Sequence, residues 1–198
     1  MRLRIARFAA ALCFPVVAGQ AHAAGDATAG RKKAEICAPC HGEQGLAEMP
    51  NVPALAGQRD NYLQWQLVYF RSGRRKNDQM SPIAQDLADQ DIRNLGAYFA
   101  SLPRPPAPTK ELADTSLIEA GKKAVADHHC AVCHTDTFEG AAAAPAITHQ
   151  RHDYLIKALT DYRENARPST GVGAMNDAAA SLTDDDIKAI AAYLETYK

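Results

Sequence analysis

The 198-residue chain carries one pattern twice, and that duplication limits what it can fold into more than any other feature. Ala29-Gly30-Arg31-Lys32-Lys33-Ala34 returns as Ala120-Gly121-Lys122-Lys123-Ala124, and Cys37-Ala38-Pro39-Cys40-His41 as Cys130-Ala131-Val132-Cys133-His134. Pro53-Ala54-Leu55 and Gln58 return as Pro145-Ala146-Ile147 and Gln150, each followed four residues on by Tyr-Leu. Met80 is matched by Met175, Leu87 by Leu182, Ile92 by Ile187 and Tyr98 by Tyr193. The offset stays between 90 and 95 residues, so each copy has the length of a small domain, not of a solenoid repeat.

Between the copies runs Pro103-Arg104-Pro105-Pro106-Ala107-Pro108, a stretch that cannot be helical and reads as a stiff extended linker. The expected organisation is residues 25–102 and 113–198 as tandem domains with residues 103–112 between them. Residues 1–24 read as a cleaved leader: Arg2, Arg4 and Arg7 precede the short apolar run Phe8 to Gly19, and Ala21-His22-Ala23 offers a signal-peptidase site. The apolar run holds a proline and is too short for a membrane span; a retained N-terminal anchor is the competing reading. Removing three arginines and no acid lowers the formal charge from −1 to −4, so no basic field is left to hold nucleic acid.

The periodicity is helical. Ile92, Leu95, Gly96 and Phe99 share one face, as do Ile187, Ile190, Ala191 and Leu194. Leu63, Leu67 and Phe70 mark a further helix ending near Gly73. Ser116-Leu117-Ile118-Glu119 reads as a capping box, with Thr183-Asp184-Asp185-Asp186 a weaker one. Alternating β-branched runs are missing, and the expected class is all-α. Domains this small bury little surface and want a prosthetic staple.

The cysteines say which staple. Cys13 leaves with the leader, and the other four, Cys37, Cys40, Cys130 and Cys133, form two pairs each followed by a histidine. On a short helix, residues three and four apart share a face. Two thiols at that spacing can add to the two vinyl groups of one haem while the histidine reaches its iron, the c-type attachment signature. A zinc site from four cysteines would need pairs from different repeats and would leave both histidines unexplained. A thioredoxin-like dithiol would need a βαβ surround, and disulfides within the pairs explain neither histidine.

An iron used for electron transfer wants a sixth ligand, and thioether with imidazole raises its potential. Met49 lies only eight residues after His41, too close to cross a haem. Met80 and Met175 lie 39 and 41 residues after His41 and His134, in polar, loop-like contexts at equivalent places. They are the candidate ligands, with core filling as the alternative use. His149 and His152 have no counterpart in the first copy and read as surface residues; His128 and His129 read as solvated or haem-edge residues.

These motifs resemble class I c-type cytochromes, and the doubled arrangement is similar to the cytochrome c4 family across essentially the whole mature chain. The resemblance implies two tandem class I cytochrome c-like domains holding two covalently bound haem c groups. It implies that Pro53 and Pro145 offer backbone carbonyls to the Nδ1–H of His41 and His134, and that first and last helices cross at Gly30 with Tyr98 and at Gly121 with Tyr193. The second domain departs at Thr148-His149, where the first has Ala56-Gly57, and has a longer stretch before Met175.

The implied function is outer-sphere electron transfer in the periplasm, with no catalysis of its own. The implied partners are a quinol-oxidising complex upstream and a terminal oxidase or reductase downstream. Loose association with the periplasmic face of the membrane is compatible with that role. One alternative is the dihaem subunit of a larger periplasmic dehydrogenase, such as a flavocytochrome sulfide dehydrogenase; another is a dihaem peroxidase, which needs an open iron position that paired methionines would close. Arg71, Arg74, Arg75 and Lys76 form the densest basic cluster, either steering an acidic partner or capping a helix end.

Overall fold

The computed structural model describes residues 24–107, 114–169 and 173–197. The leader lies outside the described residues apart from Ala24, as does the linker beyond Ala107. Among the described residues there are helices and no strands, and no helix is long and apolar enough to cross a membrane.

The N-terminal half contains α1 (Ala27–Lys33), a 3-10 turn (Ala34–Ile36), α2 (Ala38–His41), α3 (Asp60–Arg71), α4 (Met80–Gln85) and α5 (Asp89–Ser101). The C-terminal half repeats the order with α6 (Thr115–Asp127), α7 (Ala131–His134), α8 (His152–Arg163), α9 (Ala174–Ala179) and α10 (Asp184–Glu195). The expected helical faces are the buried ones. Ile92, Leu95, Tyr98 and Phe99 meet Ala34, Leu63 and Leu87 in one core; Ile187, Ile190, Ala191 and Leu194 meet Val125, Leu155 and Leu182 in the other. Each fully buried Leu or Ile contributes about 1.5–3 kcal/mol to its core.

The crossings of first and last helices depend on missing side chains. A Cβ on Gly30 would sit 2.0 Å from the Asn94 carbonyl oxygen and 2.8 Å from Tyr98 Cβ. On Gly121 it would sit 2.0 Å from the Ala189 carbonyl oxygen and 2.7 Å from Tyr193 Cβ. Only glycine permits that approach.

Helix starts differ in part from expectation. Thr183 and Asp186 do form a reciprocal box at α10: the Asp186 N–H donates to Thr183 Oγ1 at 3.1 Å, and the Thr183 N–H to Asp186 Oδ2 at 3.0 Å. Ser116 does not cap α6; the helix begins a residue earlier and Asp114 caps it, accepting from the Ser116 N–H at 2.8 Å. Aspartate is a strong N-cap, and it is three residues from the start of the apolar face, which hides it from a pattern search.

The halves meet through a reciprocal exchange of hydrogen bonds. Gln58 donates from Nε2 to the Ala146 carbonyl at 2.9 Å and accepts the Ala146 N–H at 2.7 Å. Gln150 does the same with Ala54, at 3.0 and 2.8 Å. Both glutamines are buried, so each amide satisfies a backbone pair that would otherwise be stranded. Around them Arg59 donates to the carbonyls of Glu139 and Gly140 at 2.8 and 2.7 Å, and Arg151 to that of Ala47 at 3.2 Å. The linker residue Arg104 donates to the Thr148 carbonyl. A contact in which each half presents the same patch to the other is the signature of two-fold pairing.

Candidate functional site: two histidine–thiol pockets

Each pocket is built on one turn of helix. Pro39 stands in the first turn of α2, where its missing N–H costs no hydrogen bond. That turn presents Cys37, Cys40 and His41 together, as α7 presents Cys130, Cys133 and His134. All four cysteines are unlinked. Burial pushes the Cys37 thiol up to about 11 and raises that of Cys130. Metal-binding thiolates and redox dithiols need the opposite shift. Among the described residues, no three His, Cys, Asp or Glu side chains converge as a metal cage.

Both histidines are 5% exposed. Burial lowers their pKa, outweighing the opposing pull of a carbonyl, and keeps the rings neutral. His41 Nδ1 lies 2.9 Å from the Pro53 carbonyl oxygen, and His134 Nδ1 lies 2.9 Å from that of Pro145. A carbonyl only accepts, so Nδ1 carries the proton and Nε2 keeps a free lone pair. A neutral imidazole oriented in this way by an outer partner is a ready metal ligand.

Met80 and Met175 are not in loops as expected. Met80 opens α4 and Met175 is the second residue of α9; both are half-buried. A short polar side chain holds the start of α4, and another ties α9 to the segment before it. The Met80 N–H donates to Asn77 Oδ1 at 2.8 Å. Asn176 accepts the Ser169 N–H at 3.0 Å and donates to the carbonyls of Tyr162 and Arg167 at 2.9 Å each. Met49 is exposed.

Three further readings change. His149 is not a free surface residue: its Nε2 lies 2.9 Å from the Tyr197 carbonyl oxygen. His152 is half-buried with Nδ1 3.9 Å from Glu195 Oε2. The basic cluster is dispersed. Arg71 pairs with Asp89 at 2.6 Å, and Arg75 turns inward to Gln66 Oε1 at 2.7 Å. Only Arg74 and Lys76 remain exposed. The residues missed outright are Arg167, Arg59 and Arg151, whose contacts cross between copies and leave no local signal.

Comparison with known proteins agrees with this geometry. The family described as cytochrome c matches residues 118–198, and that described as cytochrome c oxidase, cbb3-type, subunit III matches residues 24–99. Cytochrome c4 of Azotobacter vinelandii is 39% identical over 90% of this chain and 92% of its own length. The crystal structure of reduced cytochrome c4 from Pseudomonas stutzeri superposes with a TM-score of 0.80 at 33% identity, covering 87% of this chain and 99% of that one. The thiosulfate dehydrogenase electron acceptor of Stutzerimonas stutzeri is more distant, 30% identical over 81% of this chain and 78% of its own. Two cytochrome c domains, each with free paired thiols and a neutral buried histidine, imply two covalent haem c groups, and the chain belongs to the cytochrome c4 family.

Proposed function

We propose that this protein is a periplasmic dihaem electron carrier that passes electrons between redox proteins by outer-sphere transfer and catalyses no reaction of its own. Cys37 and Cys40 would hold the first haem through thioether bonds, and His41 and Met80 would ligate its iron. Cys130, Cys133, His134 and Met175 would do the same for the second. When bound, each haem supplies an iron that takes up and releases one electron. The observation that carries the reading is the pair of matching 2.9 Å histidine–carbonyl contacts, each beside two free thiols.

The chain's own residues do the remaining work. Pro53 and Pro145 fix the tautomer of the histidines and increase their basicity. The apolar surround would keep water off, and Met80 and Met175, as iron ligands, would leave no place for peroxide or oxygen. The leader pattern supports export to the periplasm, where cytochrome c4-like carriers would meet a quinol-oxidising complex and a terminal oxidase or reductase.

A second reading is a dedicated acceptor for a periplasmic dehydrogenase, favoured by the relative described as a thiosulfate dehydrogenase electron acceptor. Purification of the native complex separates the two: a permanent partner co-purifies, a transient one does not. The primary test is anaerobic redox titration of the matured protein with optical detection and covalent haem quantified. Two haems per chain, both low-spin, are expected; fewer than two overturns the reading. Ready binding of cyanide by the oxidised protein would instead favour a peroxidase.

A further inference from the structure

One helix face in the N-terminal half is finished differently from its copy. Helices α3 and α8 run in register. The Arg75 N–H donates to the Tyr69 carbonyl and the Arg167 N–H to the Asp161 carbonyl, each at 3.0 Å. Arg71 and Arg163 reach the carbonyls of Leu87 and Leu182 at 2.9 and 3.0 Å. On that register, Trp65, Tyr69, Ser72 and Arg74 stand where the second half has Lys157, Asp161, Glu164 and Ala166. Lys157 and Asp161 pair with each other. Trp65 and Tyr69 instead pack with ring centres 5.9 Å apart, and the Arg74 guanidinium lies 4.7 Å from the centre of the Tyr69 ring.

Trp65, the one tryptophan of the chain, is 48% exposed, although Tyr69 beside it is buried. A single apolar side chain at a surface needs no explanation. What sets this one apart is its company. The indole rests on a ring already held by a guanidinium, so Trp65, Tyr69 and Arg74 form one continuous platform. Tryptophan, tyrosine and arginine are the residues that dominate binding at protein interfaces. The fold does not require them here, because the second half builds the same helix around a self-neutralised ion pair.

Charge says what the platform fits. Arg74 and Lys76 are exposed, and neither belongs to an ion pair among the described residues. Asp78 is the one acid between Arg71 and Met80. Trp65, Tyr69, Ser72 and Arg74 comprise one cation and no acid, whereas Lys157, Asp161, Glu164 and Ala166 comprise one cation and two acids. The first half thus offers unpaired positive charge beside an apolar ring, and the second offers surplus negative charge at the same place. An acidic protein surface is attracted to the one and repelled by the other. An anionic membrane is a poorer match, since stable attachment takes a polybasic patch together with an apolar anchor. Docking of a protein asks for less, because transient redox encounters bury little area.

We propose that Trp65, Tyr69 and Arg74 form a docking platform for an acidic partner protein, which the N-terminal half alone receives. A carboxylate of the partner meets Arg74, an apolar side chain of the partner covers the indole, and Lys76 adds attraction at longer range. Helix α3 also carries Leu63 and Leu67 into the N-terminal core, so the platform stands one helix thickness, about 10 Å, from that core. That the partner is a redox protein rests on the electron-carrier reading above; the platform itself does not.

The test titrates the matured, reduced full chain with a short glutamate-rich peptide carrying one leucine. Calorimetry measures the affinity, and the single indole N–H resonance locates the contact by NMR. A lysine-rich counterpart of the peptide and phosphatidylglycerol vesicles are the controls. The acidic peptide is expected to shift the indole resonance saturably, and more weakly at high salt. Trp65→Lys combined with Tyr69→Asp copies the second half's ion pair onto the first. It is expected to weaken binding about tenfold while both haems and both potentials stay as they were. Trp65→Lys alone, at an exposed site, decides the matter if the double variant does not mature. Arg74→Gln is expected to cost about threefold, and Lys157→Gln nothing. An indole resonance that does not move, or an affinity unchanged by Trp65→Lys, overturns the platform. So does an equal response to the lysine-rich peptide or to the vesicles, or a shift on protein concentration alone, which would seat a second copy there. Fewer than two haems in the unmutated protein overturns the electron-carrier reading instead.

Discussion

Five backbone positions take a left-handed φ in both halves, and different residues occupy them. Gly42, Gly45, Ala47, Gly57 and Gly73 in the first correspond to Thr135, Phe138, Gly140, His149 and Asn165 in the second. The hydrogen bonds match as well. Gly45 and Phe138 donate to Gly42 and Thr135 at 2.9 and 3.1 Å, Ala47 and Gly140 to the carbonyls of His41 and His134 at 2.8 and 2.9 Å, and Gly57 and His149 to those of Phe99 and Leu194 at 2.8 and 3.0 Å. The path of the chain after each histidine is therefore set by this ladder, and glycine is the easier occupant but not the required one. At Gly45 space matters too: a Cβ there would lie 2.9 Å from the Phe99 ring. The second half has Leu194 opposite, and Phe138 fills the room, edge-on to Tyr193 and Tyr197 with ring centres 6.3 and 5.2 Å apart. Bulk has changed sides across one core contact.

That exchange can be broken and repaired. Gly45→Phe should destabilise the holoprotein by about 3 kcal/mol, from overpacking and backbone strain together. Adding Phe99→Leu should recover at least half of it, a coupling that equilibrium urea unfolding of the two single variants and the double would measure. Additivity would mean that the two halves do not share this packing solution.

Thr135 follows a haem-ligand candidate with φ 69° and ψ 165°, a region that is essentially glycine's, and a β-branched residue there carries about 1–3 kcal/mol of strain. Thr135→Gly should stabilise by about 1 kcal/mol once the extra freedom of the unfolded glycine is subtracted. A loss of stability on urea unfolding would show that the threonine is not strained.

The last helices are a milder contrast. At α5 the box is one-sided: Asp91 Oδ2 accepts the Ala88 N–H at 3.1 Å, but alanine has no side-chain acceptor to return the bond. Thr183→Ala should cost about 1 kcal/mol, and Ala88→Thr should gain up to that amount. The Asp186 carboxyl is held below its ordinary range, first by the Thr183 hydroxyl and then by the Thr183 N–H. A lowered folded pKa means its support is complete above the usual carboxylate pKa and fades as pH falls through the lowered value. The gap between Thr183→Ala and the unmutated protein should therefore narrow in acid, as unfolding curves across that range would register.

His149→Gly is expected to do least. Relief at φ 56° offsets loss of the 2.9 Å bond to the Tyr197 carbonyl, leaving a change within about 0.5 kcal/mol by thermal unfolding.

Local signals were enough for much of this. Cys37-x-x-Cys40-His41 and its copy announce their chemistry because three side chains on one helical turn must share a pocket. Gly30 and Gly121 were matched to Tyr98 and Tyr193 only through the resemblance to class I c-type cytochromes. Asp114 was missed because a cap takes only one side-chain oxygen to accept a backbone N–H, and the Ser116 hydroxyl is as good an acceptor by type. Met80 and Met175 were expected in loops because their neighbours are polar, whereas Met80 opens α4 with its N–H on Asn77 Oδ1 and Met175 lies within α9.

From its sequence alone, then, this protein's repeat, its helical class and its thiol–imidazole pockets follow, since each depends on residues within a few positions of one another. The meeting of the halves is a different matter. Gln58 and Gln150 appear in the sequence as a repeated letter, and Arg167 as one more arginine near a proline. Only the folded chain brings Gln58 to Ala146 and Arg167 to Tyr62, because burial and partnership across 88 and 105 residues are properties of packing and not of any local run.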